Sequence, residues 1–250
     1  LNLLEETRPD MVVNALVGIA GLMPTFRSIE MGSMVALANK ECLVTAGELL
    51  IREFGDPERY IIPVDSEHFS LSRCLQYDRS EISEIIITAS GGPFYGEDSD
   101  SLSEVTIEQV LDHPTWDMGD KVTVDSALLL NKGLEVVEAH WLFGFAYRRI
   151  KVLIHPQSLV HSLIRMADGS LLAHLGPPDM RLPIMNALYH PRIADFPWES
   201  LKLEEAGNLE FRPFKSSDYP AFELVMKAAQ RGGTSLAVLN AADEGAVNTF

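Results

Sequence analysis

Cysteine is scarce in this sequence: Cys42 and Cys74 stand far apart and without C-x-x-C spacing. That argues against a disulfide framework and a thiolate zinc site, and it suits a reducing compartment. There is no run of lysine or arginine, and the formal net charge of −16 repels a phosphate backbone, so nucleic acid is not an expected partner. No apolar stretch reaches the roughly 18 residues of a membrane helix, and no signal peptide is present, so no membrane partner is expected. An initiating methionine is missing too. The sequence opens at Leu1 and stops at Phe250 inside "SLAVLNAADEGAVNTF", a helical pattern that has met no glycine or proline stop. The expectation is a piece of a longer chain.

What is present is a chain of 250 residues, 46% hydrophobic, enough for one large core or two smaller ones. Its first 68 residues alternate apolar runs with helical patterns: "MVVNALVG", "GLMPTFRSIEMG", "SMVALANK", "ECLVTAGELLIREFGD", "RYIIPVD". This reads as βαβαβ on a parallel sheet, where ligands gather at the carboxyl ends of strands. From Glu84 the pattern changes. "EIIITASGGPF" is a strand entering a turn, a short helix starts near Thr106, and "VDSALLLNKGLEVVEAHWLFGF" reads as one long helix capped near Asp125 or Ser126. "KVLIHPQSLVHSLIRMADGSLLAHL" reads as two strands joined at Asp168-Gly169, and "DMRLPIMNALYHP", a strand near "LEFRPF" and two helices follow. The fold class is therefore α/β: the remnant of a Rossmann-like parallel sheet, then an α+β unit on a separate sheet.

The first candidate chemistry is in "PVDSEH". If strand geometry persists, Asp65 and Glu67 point to one side and offer a hard cation two carboxylates. Glu135 is the best third ligand, because Asn131 and Lys132 lie four and three residues before it on adjoining helix faces. All-oxygen ligation favours Mg or Mn over Zn. On the pattern alone, the D-x-E pair reads more readily as surface carboxylates at a solvated strand end. Ser90-Gly91-Gly92 offers a hydroxyl and backbone N–H groups as an oxyanion or phosphate nest, or is an ordinary tight turn. Ser126 near a helix start can help such a nest or be a plain N-cap, and Lys132 would add charge. Gly133 weakens its helix by roughly 1 kcal/mol, which suggests a close neighbour there. His113, Trp116 and Met118 sit in "HPTWDMG", either a lid or a plug in the core. His155 and His161, taken singly, read as satisfied core histidines.

The stretches "VGIAGLMPT", "LANKECLVTAG", "PVDSEH", "ITASGGPF", "HPTWDMGDKVTVDSALLLNKGLEVVEAHWLF", "IHPQSLVHSLI" and "LGPPDMRLPI" together resemble the 1-deoxy-D-xylulose 5-phosphate reductoisomerase family, colinearly and over nearly the whole chain. The resemblance implies an NADPH- and metal-dependent enzyme that makes 2-C-methyl-D-erythritol 4-phosphate for isoprenoid synthesis, by retro-aldol cleavage and re-addition followed by reduction. It implies Mn2+ or Mg2+ on Asp65, Glu67 and Glu135, and Lys40, Ser66 and Glu67 at the carbonyl end of a small phosphorylated sugar. Ser90, His113, Ser126, Asn131 and Lys132 would surround its phosphate. Asn39, Glu41 and Gly119 would touch NADPH, and Trp116 and Met118 would lie on a flap near 113–119. His161, near the active site, joins Lys40, Glu67 and Glu135 as a catalytic candidate.

The implied layout is 1–68 as the end of an NADPH-binding domain, 69–230 as the catalytic domain and 231–250 as the start of a C-terminal helical region. A homodimer of the full-length protein is implied, in the cytoplasm of a bacterium or the stroma of a plastid. The family's Gly-rich phosphate-cradling turn is not in this sequence, so the chain alone is expected to bind metal and phosphate better than NADPH. A related reductase with another substrate, or a non-catalytic core, are the alternatives.

Overall fold

The computed structural model describes residues 1–96, 105–112, 119–247 and 249. After a short helix α1 (Asn2–Thr7), strands β1 (Met11–Asn14), β2 (Met34–Leu37) and β3 (Ile61–Pro63) form a parallel sheet in the order β1-β2-β3. Helices α2 (Leu22–Glu30) and α3 (Glu41–Phe54) make the crossovers, so the expected βαβαβ unit is there. Helix α4 (Ser66–Cys74) leads to β4 (Ile82–Ala89), the centre of a five-stranded mixed sheet ordered β7-β6-β4-β5-β8. Its other strands are β5 (Ile150–Ile154), parallel to β4, then β6 (Val160–Met166), β7 (Leu171–Leu175) and β8 (Arg212–Pro213), each antiparallel to its neighbour. Helices α5 (Ile107–Leu111), α6 (Asp120–Ala127) and α7 (Leu130–Phe143) fall between β4 and β5. After β7 come α8 (Arg181–Tyr189), α9 (Pro220–Arg231) and α10 (Ser235–Val247).

Two expectations need correction. "KVLIHPQSLVHSLIRMADGSLLAHL" holds three strands, because the backbone turns away at Pro156-Gln157 and "KVLI" pairs with β4 on the opposite side from β6. The single long helix is two. Leu129 takes a left-handed conformation (φ 51°) that ends α6 and restarts the chain as α7. Ser126 is consequently near the end of α6, and neither it nor Asp125 caps a helix start.

One apolar cluster runs through both sheets. Val35 and Leu37 of β2 and Leu43 and Leu50 of α3 share it with Ile85 and Ile87 of β4 and with Val136, Leu142 and Phe143 of α7. The change at about residue 68 is thus a change of sheet and leaves the core continuous. Helix α7 lies at the centre, buried on most of its surface although it carries Lys132, Glu135 and Glu138. Two close approaches seat it. A Cβ on Gly133 would lie 2.9 Å from Cβ of Val225 in α9, which accounts for glycine inside that helix. On the other side α3 bends at Ala46 (φ −137°), and a Cβ on the adjacent Gly47 would lie 2.4 Å from ring atoms of Trp141.

Replacing Gly47 with alanine sets a helix-propensity gain of about 1 kcal/mol against overpacking that typically costs about 1–3 kcal/mol. The clash is with a large ring, so it wins: Gly47→Ala should lower the urea midpoint. An unchanged or higher midpoint would show that Trp141 can move aside freely.

Candidate functional site

The parallel strands β2 and β3 end on the same side of their sheet, and a helix starts soon after each. Lys40 stands at the start of α3, and Asp65 caps α4. The Asp65 Oδ1 accepts from the backbone N–H groups of Glu67 (3.1 Å) and His68 (3.5 Å). This corrects the reading of Asp65 and Glu67 as alternating strand residues. The strand stops at Pro63, and the first amides of the new helix, which have no intrahelical partner, take the carboxylate as their acceptor.

Helix α7 supplies the facing groups. Lys40 Nζ lies 3.0 Å from Asp65 Oδ2, 2.7 Å from Asn131 Oδ1 and 3.3 Å from Glu135 Oε1. Lys132 Nζ donates to Glu67 Oε1 at 2.8 Å and to Glu135 Oε2. Asn131 Nδ2 donates to Glu135, and Ser66 Oγ donates to Glu67 Oε2 at 2.5 Å. The spacing argument for Asn131, Lys132 and Glu135 therefore holds in three dimensions. Lys132, expected at a phosphate, places its ammonium against two carboxylates.

Three acids and two lysines share this ground, and each feels the others. Burial opposes the charge on Lys40, but Asp65, Glu135 and Glu138 outweigh it and hold the ammonium well above its ordinary range. Burial likewise opposes ionisation of Asp65, yet Lys40, His68 and Lys132 bring its carboxyl well below the ordinary value. Glu135 goes the other way, raised by burial and by Glu67. Carboxylate oxygens of Asp65, Glu67 and Glu135 come within 4.8 Å of one another. Neighbouring ligands on a Mg2+-sized ion stand about 3 Å apart and opposite ones about 4.2 Å, so the three acids suit one hard divalent cation with modest adjustment.

These groups face a cavity of about 310 Å³. Lys40, Asp65, Ser66, Glu67, Ser90, Gly119, Ser126, Asn131, Lys132, Glu135 and His161 all line it. Gly92 makes part of this possible: at φ +76° a Cβ there would lie 2.8 Å from the Ser126 carbonyl oxygen, so the turn after β4 can close against the end of α6. Asn39 and Glu41 are placed elsewhere. The Asn39 amide is 1% exposed and donates to the carbonyls of Leu16 (2.5 Å) and Gly18 (2.7 Å), while its oxygen accepts from Cys42 N–H (2.8 Å). Glu41 lies 3.6 Å from Lys121, which also pairs with Asp125 and Asp243. His113, Trp116 and Met118 lie outside the described residues.

Several residues were missed. Ser158, Thr88 and Met180 line the cavity, and Ser158 has a left-handed backbone (φ 52°), invisible to pattern reading although "IHPQS" contains it. Behind the acids lie His68 and Glu138. Their signal was available: each stands three residues, one helical turn, after a candidate ligand.

Three family models match the chain. One for the 1-deoxy-D-xylulose 5-phosphate reductoisomerase C-terminal domain matches residues 61–143, another C-terminal domain model of the same enzyme matches 175–250, and a third, for the reductoisomerase itself, matches 1–47. The chain is 51% identical over 243 residues to the reductoisomerase of Synechococcus sp. and 49% identical over 242 residues to that of Desulfitobacterium hafniense, with 96% and 97% of this chain covered. It belongs to the 1-deoxy-D-xylulose 5-phosphate reductoisomerase family.

The chain spans 61% and 63% of the length of those two relatives. Among solved members of the family, a reductoisomerase in complex with NADPH, fosmidomycin and magnesium superposes with a TM-score of 0.90 at 38% identity, covering 97% of this chain and 62% of that one. The Zymomonas mobilis enzyme in complex with NADPH gives 0.88 at 40% identity, covering 99% and 65%. The parallel sheet followed by a mixed sheet is thus the family's fold. The carboxylates Asp65, Glu67 and Glu135 all fall inside the 61–143 match, and Lys40 comes from the 1–47 match.

Two measurements follow. Asparagine is as good an N-cap as aspartate, so Asp65→Asn should leave α4 intact and weaken Mn2+ binding by calorimetry by about tenfold or more. Unchanged affinity in both Asp65→Asn and Glu135→Gln would remove the site. The second concerns pH. Burial lowers His161 to about 4, and burial with His161 and Arg73 lowers His174 to about 4. Both are neutral when folded, whereas unfolding frees them to take a proton below about 6.5. Stability is therefore fully present above that pH and falls as pH drops toward 4, and His174→Asn should make the fall in Tm shallower.

Proposed function

We propose that this chain is the catalytic core of an enzyme converting 1-deoxy-D-xylulose 5-phosphate to 2-C-methyl-D-erythritol 4-phosphate in non-mevalonate isoprenoid synthesis, with NADPH and one Mn2+ or Mg2+. The observation that carries it is the meeting of Asp65, Glu67 and Glu135 with Lys40 and Lys132 at one wall of a cavity that Ser90 and Ser126 also line. The complexes of related enzymes with NADPH, fosmidomycin and magnesium support it.

Asp65, Glu67 and Glu135 would hold the cation, which when bound polarises a carbonyl as a Lewis acid. The remaining steps belong to the chain's own groups. Lys40 and Ser66, beside those acids, face the carbonyl and hydroxyl end of the substrate and orient it by donating hydrogen bonds. Ser90, Ser126, Asn131 and Lys132, with His113, take the phosphate, so that binding energy far from the reacting carbons fixes their position. Three carboxylates against two ammonium groups leave one net negative charge, and a divalent ion turns it into one net positive charge facing an anionic substrate. His161, held neutral, offers hydrogen bonding without adding charge. NADPH would approach along Gly119, Glu41 and the main chain of Asn39, since the Asn39 side chain is fully committed. Trp116 and Met118 would form the flap that excludes water. A homodimer at full length, and a bacterial cytoplasmic or plastid-stromal setting suited to two free buried thiols, complete the proposal.

The test follows NADPH absorbance with 1-deoxy-D-xylulose 5-phosphate and Mn2+, on this chain and on one extended to the length of its relatives. The extended chain should turn over, and Glu67→Gln should reduce kcat at least about a hundredfold, as losses of charged groups that stabilise a transition state do. No NADPH consumption by the extended wild-type chain would overturn the activity.

A further inference from the structure

We propose that Glu138 is a positioning residue that acts through His68 to hold Asp65 and Glu135 in register as cation ligands. The inference rests on the metal-site reading above and deepens it. Neither His68 (0% exposed) nor Glu138 (1% exposed) lines the cavity, so neither can touch a substrate there. Both are nonetheless ionisable groups sealed behind the two ligands.

The ring of His68 joins two elements. Its Nε2 lies 2.9 Å from the backbone carbonyl oxygen of Glu135. A carbonyl can only accept, so Nε2 carries a hydrogen and donates it. That leaves Nδ1 facing Asp65 Oδ1 at 2.9 Å and Glu138 Oε2 at 3.3 Å. A bare lone pair between two carboxylates would be repelled by both, so a proton resides in this triangle. The approaches are close but bent, and neither Nδ1 nor Glu138 Oε2 has a well-aligned hydrogen-bond partner among the described residues. Charge holds the triangle more than alignment does.

The consequence reaches the ligands directly. Asp65 Oδ1 is taken by the His68 ring and by the amides of Glu67 and His68, which turns Oδ2 toward Lys40 at the cavity wall. His68 thereby selects which oxygen of Asp65 faces the cation and fixes the main chain of Glu135 with its other nitrogen. Glu138 sits one turn beyond Glu135 on α7 and supplies the negative charge that keeps the ring in this orientation. Phe143 backs the ring, stacked at 6.2 Å. Asp65, His68 and Glu138 could in principle be a second metal set, since their donor atoms also lie within 4.8 Å of one another. The hydrogen bond to Glu135 and the absence of all but Asp65 from the cavity wall favour positioning.

The test titrates Mn2+ into this chain, reading affinity and stoichiometry by calorimetry and the ion's environment by electron paramagnetic resonance, with Tm beside each variant. Wild type should bind one Mn2+. Glu138→Gln, which keeps size and loses charge, should weaken binding about 10–100-fold and alter the Mn2+ spectrum, as loss of an outer-shell partner does. Glu138→Asp should recover part of the affinity, and His68→Asn should match Glu138→Gln without the double variant being much worse. Wild-type binding with unchanged affinity in both single variants, even at a lower Tm, would make the pair merely structural and overturn the inference alone. Two Mn2+ per chain would replace it with a second metal site. A wild-type chain that takes up no Mn2+ overturns the metal-site reading and this inference with it.

Discussion

The structure depends on the mutual compensation of charge along one face of α7. Burying an ion costs several kcal/mol after relaxation, and here three acids and two lysines are buried or nearly so around Glu135, with His68 and Glu138 behind them. Losing either lysine would leave two carboxylates short of a counter-charge in a poorly solvated place, since Lys40 pairs with Asp65 and Glu135 and Lys132 with Glu67 and Glu135. Apolar side chains of similar volume would serve a core better, so the arrangement makes sense as a binding site for charge.

Backbone exceptions serve that arrangement. The left-handed Leu129 separates α6 from α7 and lets the second helix start where Asn131 meets Lys40 and Lys132 meets Glu67. Non-glycine residues in such conformations cost of order 1–3 kcal/mol and persist when the surroundings enforce them. Gly92 allows the turn after β4 to close on Ser126, while Gly47 of α3 makes room for Trp141 of α7 and Gly133 of α7 makes room for Val225 of α9. Because one apolar core passes through both sheets, residues from the first sheet's strand ends and from the helix beside the second can face each other at fixed distance.

Much of this was legible from residue order. Parallel strands followed by helices pointed to Lys40 and Asp65 through the general rule for strand ends, and helical spacing joined Asn131, Lys132 and Glu135. Glycine at position 133 correctly signalled a neighbour. The errors came from boundaries. Asp65 belongs to a helix cap because the strand ends two residues earlier, and Ser126 ends a helix because Leu129, a residue with no turn propensity, adopts a left-handed backbone. The resemblance implies NADPH near Asn39, and the packed chain adds that its side-chain amide is used by carbonyls of the loop from 16 to 18.

By itself the sequence determined the α/β class and the family and offered candidates for the site, because periodicity, turn residues and long colinear motifs are local properties. Tertiary structure alone decided how those groups pair. Helical spacing makes Lys132 a neighbour of Glu135, but that Lys132 also reaches Glu67, that Lys40 bridges Asp65 and Glu135, and that Glu138 meets His68 depends on helices separated by many residues in the chain. Charge attraction is indifferent to sequence distance, so partners among several buried acids and bases are chosen only when packing fixes where each one stands.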